Sequence, residues 1–63
     1  MEILLWQMRQ EKNMSVSTLS KKSGVSKAEI YNIENGLRIP RLDVFYSLAK
    51  ALGVTMDELV RDD

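Results

Sequence analysis

Apolar residues recur along this chain at spacings of three and four, the period of an amphipathic helix, and no stretch alternates at the period of a strand. Leu4 and Leu5 both meet Met8 one turn later, so residues 2–12 predict a first helix with one apolar face. Val16, Leu19 and Ser20 are the inward positions of a second helix over about 16–23, with Lys21 and Lys22 outside. Ser20 is expected to be small because a third helix crosses close by. That third helix, about 27–35, buries Ile30 and Ile33 and leaves Lys27, Ala28, Tyr31 and Asn32 off the buried stripe. Leu42, Phe45, Leu48, Ala49 and Leu52 mark the clearest stripe, a fourth helix over about 42–52, and Leu59 anchors a short fifth over about 56–61.

The punctuation between these stripes agrees with them. Asn13 tolerates the left-handed position that ends a helix, and Ser15 has the chemistry of an N-cap. Ser26-Lys27-Ala28-Glu29 and Thr55-Met56-Asp57-Glu58 each have the form of a capping box, in which the acid reaches back to the amide of the cap. Gly36 and Gly53 close the third and fourth helices, Pro40 forbids an earlier start to the fourth, and Asp62 and Asp63 are expected to fray. Between the second and third helices lies only Gly24-Val25-Ser26, a residue suited to positive φ followed by a cap. Two helices joined this tightly are the ingredients of a helix-turn-helix.

Composition narrows the chemistry. Sixty-three residues make one domain, 1–63, and a chain of this size buries only about 60% of its unfolded surface. Little room is left beside the core for a small-molecule cavity, so no such ligand is expected. The chain has no cysteine and no histidine, which removes disulfides, thiolates and the commonest general base and metal ligand. No nucleophile–base pair, metal cluster or phosphate-cradling glycine loop is present, so neither an enzyme, a cofactor nor a metal is expected. The longest apolar run, residues 3–6, is far too short to span a membrane, and a cytoplasmic location is expected.

Net charge is zero, which alone argues against a polyanionic partner. Its distribution argues the other way. Residues 12–41 carry six basic side chains against two acidic ones, a local +4, while residues 42–63 carry −3 and residues 1–11 carry −1. The positive part coincides with the helical hairpin, although a face of solvated lysines would give the same count. Lys12 and Lys50 are read in that ordinary way.

These residues resemble the Cro/C1-type (XRE-type) helix-turn-helix domain of phage and bacterial repressors. The resemblance runs from about Leu5 to Val60 and rests on Arg9, Met14-Ser15, Leu19, Gly24-Val25-Ser26, Ile30, Ile33-Glu34-Asn35-Gly36, Pro40, Leu48-Ala49, Ala51-Leu52-Gly53-Val54 and Asp57-Glu58-Leu59. It implies an all-α, compact five-helix domain of the lambda repressor-like fold. It also implies sequence-specific double-stranded DNA binding by a small transcriptional regulator, a repressor, with the third helix in the major groove. Such proteins dimerise on pseudo-palindromic operators, with half-sites about one helical turn apart. By position, Lys27, Ala28 and Asn32 become the base readers, with Tyr31 flanking. Their chemistry suits guanine O6/N7, the thymine methyl and adenine N6/N7 respectively. Phosphate contacts fall to Ser15, Val16 and Ser17 at the start of the second helix, and to Lys21, Ser26, Asn35, Arg38 and Arg41. Glu34, an acid on a DNA-facing helix, is assigned to a structural salt bridge with Arg9.

Several residues carry a structural reading beside the functional one. Ser26 and Glu29 are caps first, and Asn35-Gly36 is a helix terminator whose amides also face a phosphate. Val16 stands where many relatives have a phosphate-reaching Gln, and Ala28 offers no hydrogen bond, so direct readout rests on Lys27 and Asn32. Trp6 is placed on the rim of the core, with an exposed partner-binding anchor as its alternative. Ile39, Val54, Met56 and Val60 are candidates for the patch of a weak homodimer, with Val54 preferred as a core residue. The competing function is a protein-interaction adaptor, antitoxin- or coactivator-like, that keeps the fold with weak DNA binding.

Overall fold

Four helices and a pair of very short strands make up the computed structural model, which describes residues 1–62; the expected fraying at Asp63 falls outside them. In chain order they are β1 (Glu2–Ile3), α1 (Leu5–Glu11), α2 (Val16–Ser23), α3 (Lys27–Glu34), α4 (Leu42–Leu52), a 3-10 turn (Asp57–Leu59) and β2 (Val60–Arg61). α2 and α4 occupy the ranges their stripes predict. α2 packs chiefly on α4 and on α3, while α1 packs on α3.

The core is assembled from every helix. Leu5 comes from α1, Val16 and Leu19 from α2, Ile30 and Ile33 from α3, and Leu48, Ala49 and Leu52 from α4. Leu59 and Val25 complete it from the 3-10 turn and the α2–α3 turn. Ser20 is half-buried. The largest departure from the stripe in α4 is Leu42, which is 72% exposed. It has the right phase, but as the first residue of α4 it overhangs the core that the next turns reach.

Two expectations of an all-helical chain fail at its ends. The first helix starts at Leu5, not Glu2, because Glu2 and Ile3 pair antiparallel with Arg61 and Val60. Leu4 N then donates to Leu59 O at 2.7 Å, so the entry to α1 is tied to the far end of the chain. The fifth helix over 56–61 is absent. The Thr55–Glu58 box does close, with Thr55 N donating to Glu58 Oε1 at 2.9 Å and Glu58 N to Thr55 Oγ1 at 3.3 Å. It opens only one tight turn, with bonds from Glu58 N to Thr55 O and from Leu59 N to Met56 O. The backbone then becomes extended at Val60 (φ −127°, ψ 152°). A β-branched residue with a partner strand in reach gains a ladder bond that a frayed helical end lacks. Strands of two residues are too short to leave an alternating pattern in the sequence.

The loops obey the capping chemistry. Asn13 takes φ 54° after α1, and Gly24 takes φ 76° after α2. Ser23 fastens the second turn, with its Oγ donating to Leu19 O at 2.7 Å and accepting from Val25 N at 3.1 Å. The buried Val25 plugs this turn into the core.

Candidate nucleic-acid interface

α3 is fixed at both ends and along one side, which leaves one face free. At its start Ser26 Oγ accepts from Glu29 N at 3.1 Å. The reciprocal half of the expected capping box is missing. The Glu29 carboxylate turns away to Arg38 Nε at 3.2 Å and so ties the first turn of α3 to the α3–α4 loop. Along the side, Ile30 and Ile33 sit in the core. At the end, Arg9 Nε and Nη2 donate to Glu34 Oε2 and Oε1 at 2.7 and 3.1 Å, a fork that holds α3 against α1. Arg9 Nη1 also donates to Met14 O at 3.1 Å, so one guanidinium orders the α1–α2 loop as well. The hydrogen bond it donates to Glu34 is the main reason the Arg9 pKa is raised, against the opposing effect of burial. Glu34 therefore faces inward, and no carboxylate is left bare at the C-terminal end of the helix.

The free face carries the base-reading candidates. Lys27, Ala28 and Tyr31 are exposed and Asn32 is half-buried. Ala28 and Asn32 lie four apart, as do Lys27 and Tyr31, so the four side chains form two adjacent rows on one surface. Asn32 O is used internally, accepting from Leu37 N at 2.8 Å, while its side-chain amide keeps both its donor and acceptor ends.

The phosphate candidates divide more sharply. Ser15 Oγ caps α2, accepting from Thr18 N at 3.1 Å and donating to Thr18 Oγ1 at 3.0 Å. The Val16 side chain is buried, so that residue offers only its backbone N–H, one of the unpaired donors that open any helix. Ser17 and Lys21 are exposed. The backbone amides of Asn35 and Gly36 are not free for a phosphate, because they donate to Tyr31 O at 2.9 Å and to Ile33 O at 3.2 Å. Only the Asn35 side chain remains. Arg38 is engaged with Glu29, and Arg41 makes a two-pronged contact with Asp43 at 3.2 and 2.8 Å. This contact raises the Arg41 pKa and lowers that of Asp43. Both arginines stay exposed, so their carboxylate partners are weak competitors that a phosphate can replace.

Trp6 is not on the core rim. It is 51% exposed and stands beside Asn35, Gly36 and Arg38, which line the same groove. Apolar periodicity has no means of finding this, because the residue's neighbours come from the far end of α3. Of the proposed dimer residues, Val54 and Met56 pack partly against the core, while Ile39 is 78% exposed on a different groove.

A helical hairpin with a short glycine turn, presenting a polar and basic row on its second helix, defines a helix-turn-helix protein. The profile of the Helix-turn-helix family matches residues 7–59, and the chain belongs to that family, as the Cro/C1-type resemblance implied. Among its relatives is the uncharacterized HTH-type transcriptional regulator y4dJ of Sinorhizobium fredii, 38% identical over 53 residues that make up 84% of this chain and 69% of the relative. An uncharacterized HTH-type transcriptional regulator of Mycobacterium tuberculosis is 39% identical over 51 residues, 81% of this chain, which spans only 36% of that longer protein. The fold superposes on the restriction-modification controller protein C.AhdI from Aeromonas hydrophila with a TM-score of 0.84 and 32% identity, covering 89% of this chain and 85% of that one. No helix among the described residues is long and apolar enough to cross a membrane.

Proposed function

We propose that this chain is a sequence-specific double-stranded DNA-binding regulator of transcription, acting in the cytoplasm as a repressor that inserts α3 into the major groove. The observation that carries the reading is the row of exposed Lys27, Ala28 and Tyr31 with half-buried Asn32 on a helix locked by Ser26, the core and the Arg9–Glu34 fork. A reading helix must hold its side chains still relative to the groove, and this one is held at both ends. Lys27 donates to guanine O6 and N7, Asn32 makes a paired contact with adenine N6 and N7, and Ala28 meets a thymine methyl. Tyr31 flanks them. Ser15, Val16, Ser17 and Ser26 at the helix starts, Lys21 on α2, and Asn35, Arg38 and Arg41 beyond α3 hold the backbone and set the register.

Occupying an operator and excluding the transcription machinery is the simplest regulatory act for such a module. The likeness to transcriptional regulators and to a controller protein supports that role. One α3 reads only a few base pairs, so the proposal includes a weak homodimer on a pseudo-palindrome. A groove of about 430 Å³ along Tyr46, Ala49, Lys50, Val54 and Met56 gives a second copy a surface at the end of α4.

The test is a salt titration of duplex binding. Each phosphate neutralised by Lys or Arg contributes about 0.9 to the fall of log K with log salt. Binding that falls steeply with salt and is stronger on one selected duplex than on scrambled DNA supports the proposal. Absence of binding at low salt favours the adaptor reading instead.

A further inference from the structure

Trp6 is the chain's single tryptophan and stands three residues before Arg9, on the same side of α1. Because Arg9 is bonded to Glu34, that side of α1 is drawn to the C-terminal end of α3. The indole accordingly lines a groove of about 580 Å³ with Gln7 on its own helix and Asn35, Gly36, Arg38 and Ile39 opposite. About half of the Trp6 residue surface is open to water. An exposed tryptophan beside donor-bearing side chains suits a partner that has both an apolar face and acceptor oxygens.

The charge of the groove selects among such partners. Its two carboxylates, Glu2 and Glu34, are each held by an arginine, Arg61 and Arg9, so neither is left bare to repel an anion. The indole N–H is a donor only, Arg38 adds a second donor, and Gln7 and Asn35 are exposed amides. Asn35 and Arg38 belong both to this groove and to the set proposed to hold phosphates. A DNA strand seated on them passes directly along Trp6.

We propose that this groove receives the sugar-phosphate backbone of the strand running past the C-terminal end of α3. The Trp6 Nε1–H donates to a phosphate oxygen and the ring covers the neighbouring deoxyribose. The inference rests on the reading of α3 as the DNA-contacting helix and adds to it an anchor on α1. Such a contact positions the protein without reading sequence. It is also uncharged, so it releases no counterion.

Trp6 supplies its own probe. The protein is titrated with a fluorescently labelled duplex carrying the selected operator, while label anisotropy reports binding and selectively excited indole emission with acrylamide quenching reports Trp6. The expected result is that Trp6 becomes shielded with the same midpoint as the anisotropy. Trp6→Phe should weaken binding by about tenfold, the loss of one hydrogen bond to a charged group, and Trp6→Ala, which also removes the ring, by more. That loss should be equal on operator and scrambled duplex, with an unchanged salt slope. Trp6→Phe keeps the ring and the fold, which thermal melting verifies independently. Normal DNA binding with unaltered quenching of Trp6 overturns the inference. So does shielding that grows with protein concentration in the absence of DNA, which would assign the groove to a second copy. A flat anisotropy trace would overturn the reading of α3 itself, and the groove proposal with it.

Discussion

Asn32 and Lys27 share a helix but are supported differently, and their substitutions should fail differently. Asn32 is half-buried and aims a pair of hydrogen-bonding atoms from a rigid base, whereas Lys27 reaches out from the first turn as a mobile charge. Asn32→Ala should cost about 1–3 kcal/mol at one adenine position and relax preference there, with little effect elsewhere. Lys27→Ala should also lower the salt slope by about 0.9, since it removes a charge. Competition with duplexes altered one base pair at a time separates the two effects. Arg9 presents the opposite case, a residue that supports the site without facing DNA. Arg9→Ala leaves Glu34 buried without its partner and should cost about 3 kcal/mol in urea unfolding, the lower end expected for breaking a buried pair, because this domain is small. The Arg9–Glu34 partnership is legible only through the family resemblance, since two residues 25 apart carry no local signal. Glu29 departs from expectation for the complementary reason. Its spacing from Ser26 suits a capping box, but an arginine brought near by the fold competes for its carboxylate and wins.

At the scale of elements, α2, α3 and α4 are legible because each combines an apolar stripe with a cap and a stop. The ends are not legible. The same capping-box pattern that opens a full helix at Ser26 opens a single 3-10 turn at Thr55. The difference lies in β1, a partner strand 57 residues away in the register Ile3 to Val60. No local pattern records it. The turn between α2 and α3 gives a sharper test of local physics. Gly24 holds φ 76°, and a Cβ placed there meets nothing within 4 Å. Gly24→Ala should therefore cost about 1 kcal/mol through backbone conformation alone, and thermal unfolding should remain cooperative. The caps also set a pH response. Hydrogen bonds from Thr55 lower the Glu58 pKa, and the Arg41 guanidinium lowers that of Asp43. Carboxylates held below their ordinary range stabilise the fold above that range, and the contribution is lost as acid protonates the folded state. The melting temperature should fall as pH drops through and below the ordinary carboxylate range, and less steeply in the Glu58→Ala, Asp43→Asn double variant.

For the molecule as a whole, zero net charge conceals a polarity that the fold turns into geometry. The +4 of residues 12–41 is spread over Lys12 at the end of α1, α2, α3 and the loop beyond it, while the acids of the C-terminal segment belong to α4, the 3-10 turn and the chain end. Two of those positive charges, on Arg38 and Arg41, are already matched by carboxylates in the free protein. On the proposed reading, binding exchanges these partners for phosphates, and the salt slope should correspond to fewer phosphates than the count of basic residues suggests. Trp6 likewise acquires its meaning only at this scale, where α1, α3 and the loop after it meet around one groove.

The row Lys27, Ala28, Tyr31 and Asn32 on α3 is proposed to read base edges. Selection of bound duplexes from a random pool tests it most directly, with the natural sequence and the Asn32→Ala variant run in parallel. A pseudo-palindromic motif with half-sites about one helical turn apart is expected, with loss of preference at one symmetry-related pair of positions in the variant. Recovery of the same motif by both proteins, or of no motif by the folded natural protein, would contradict it.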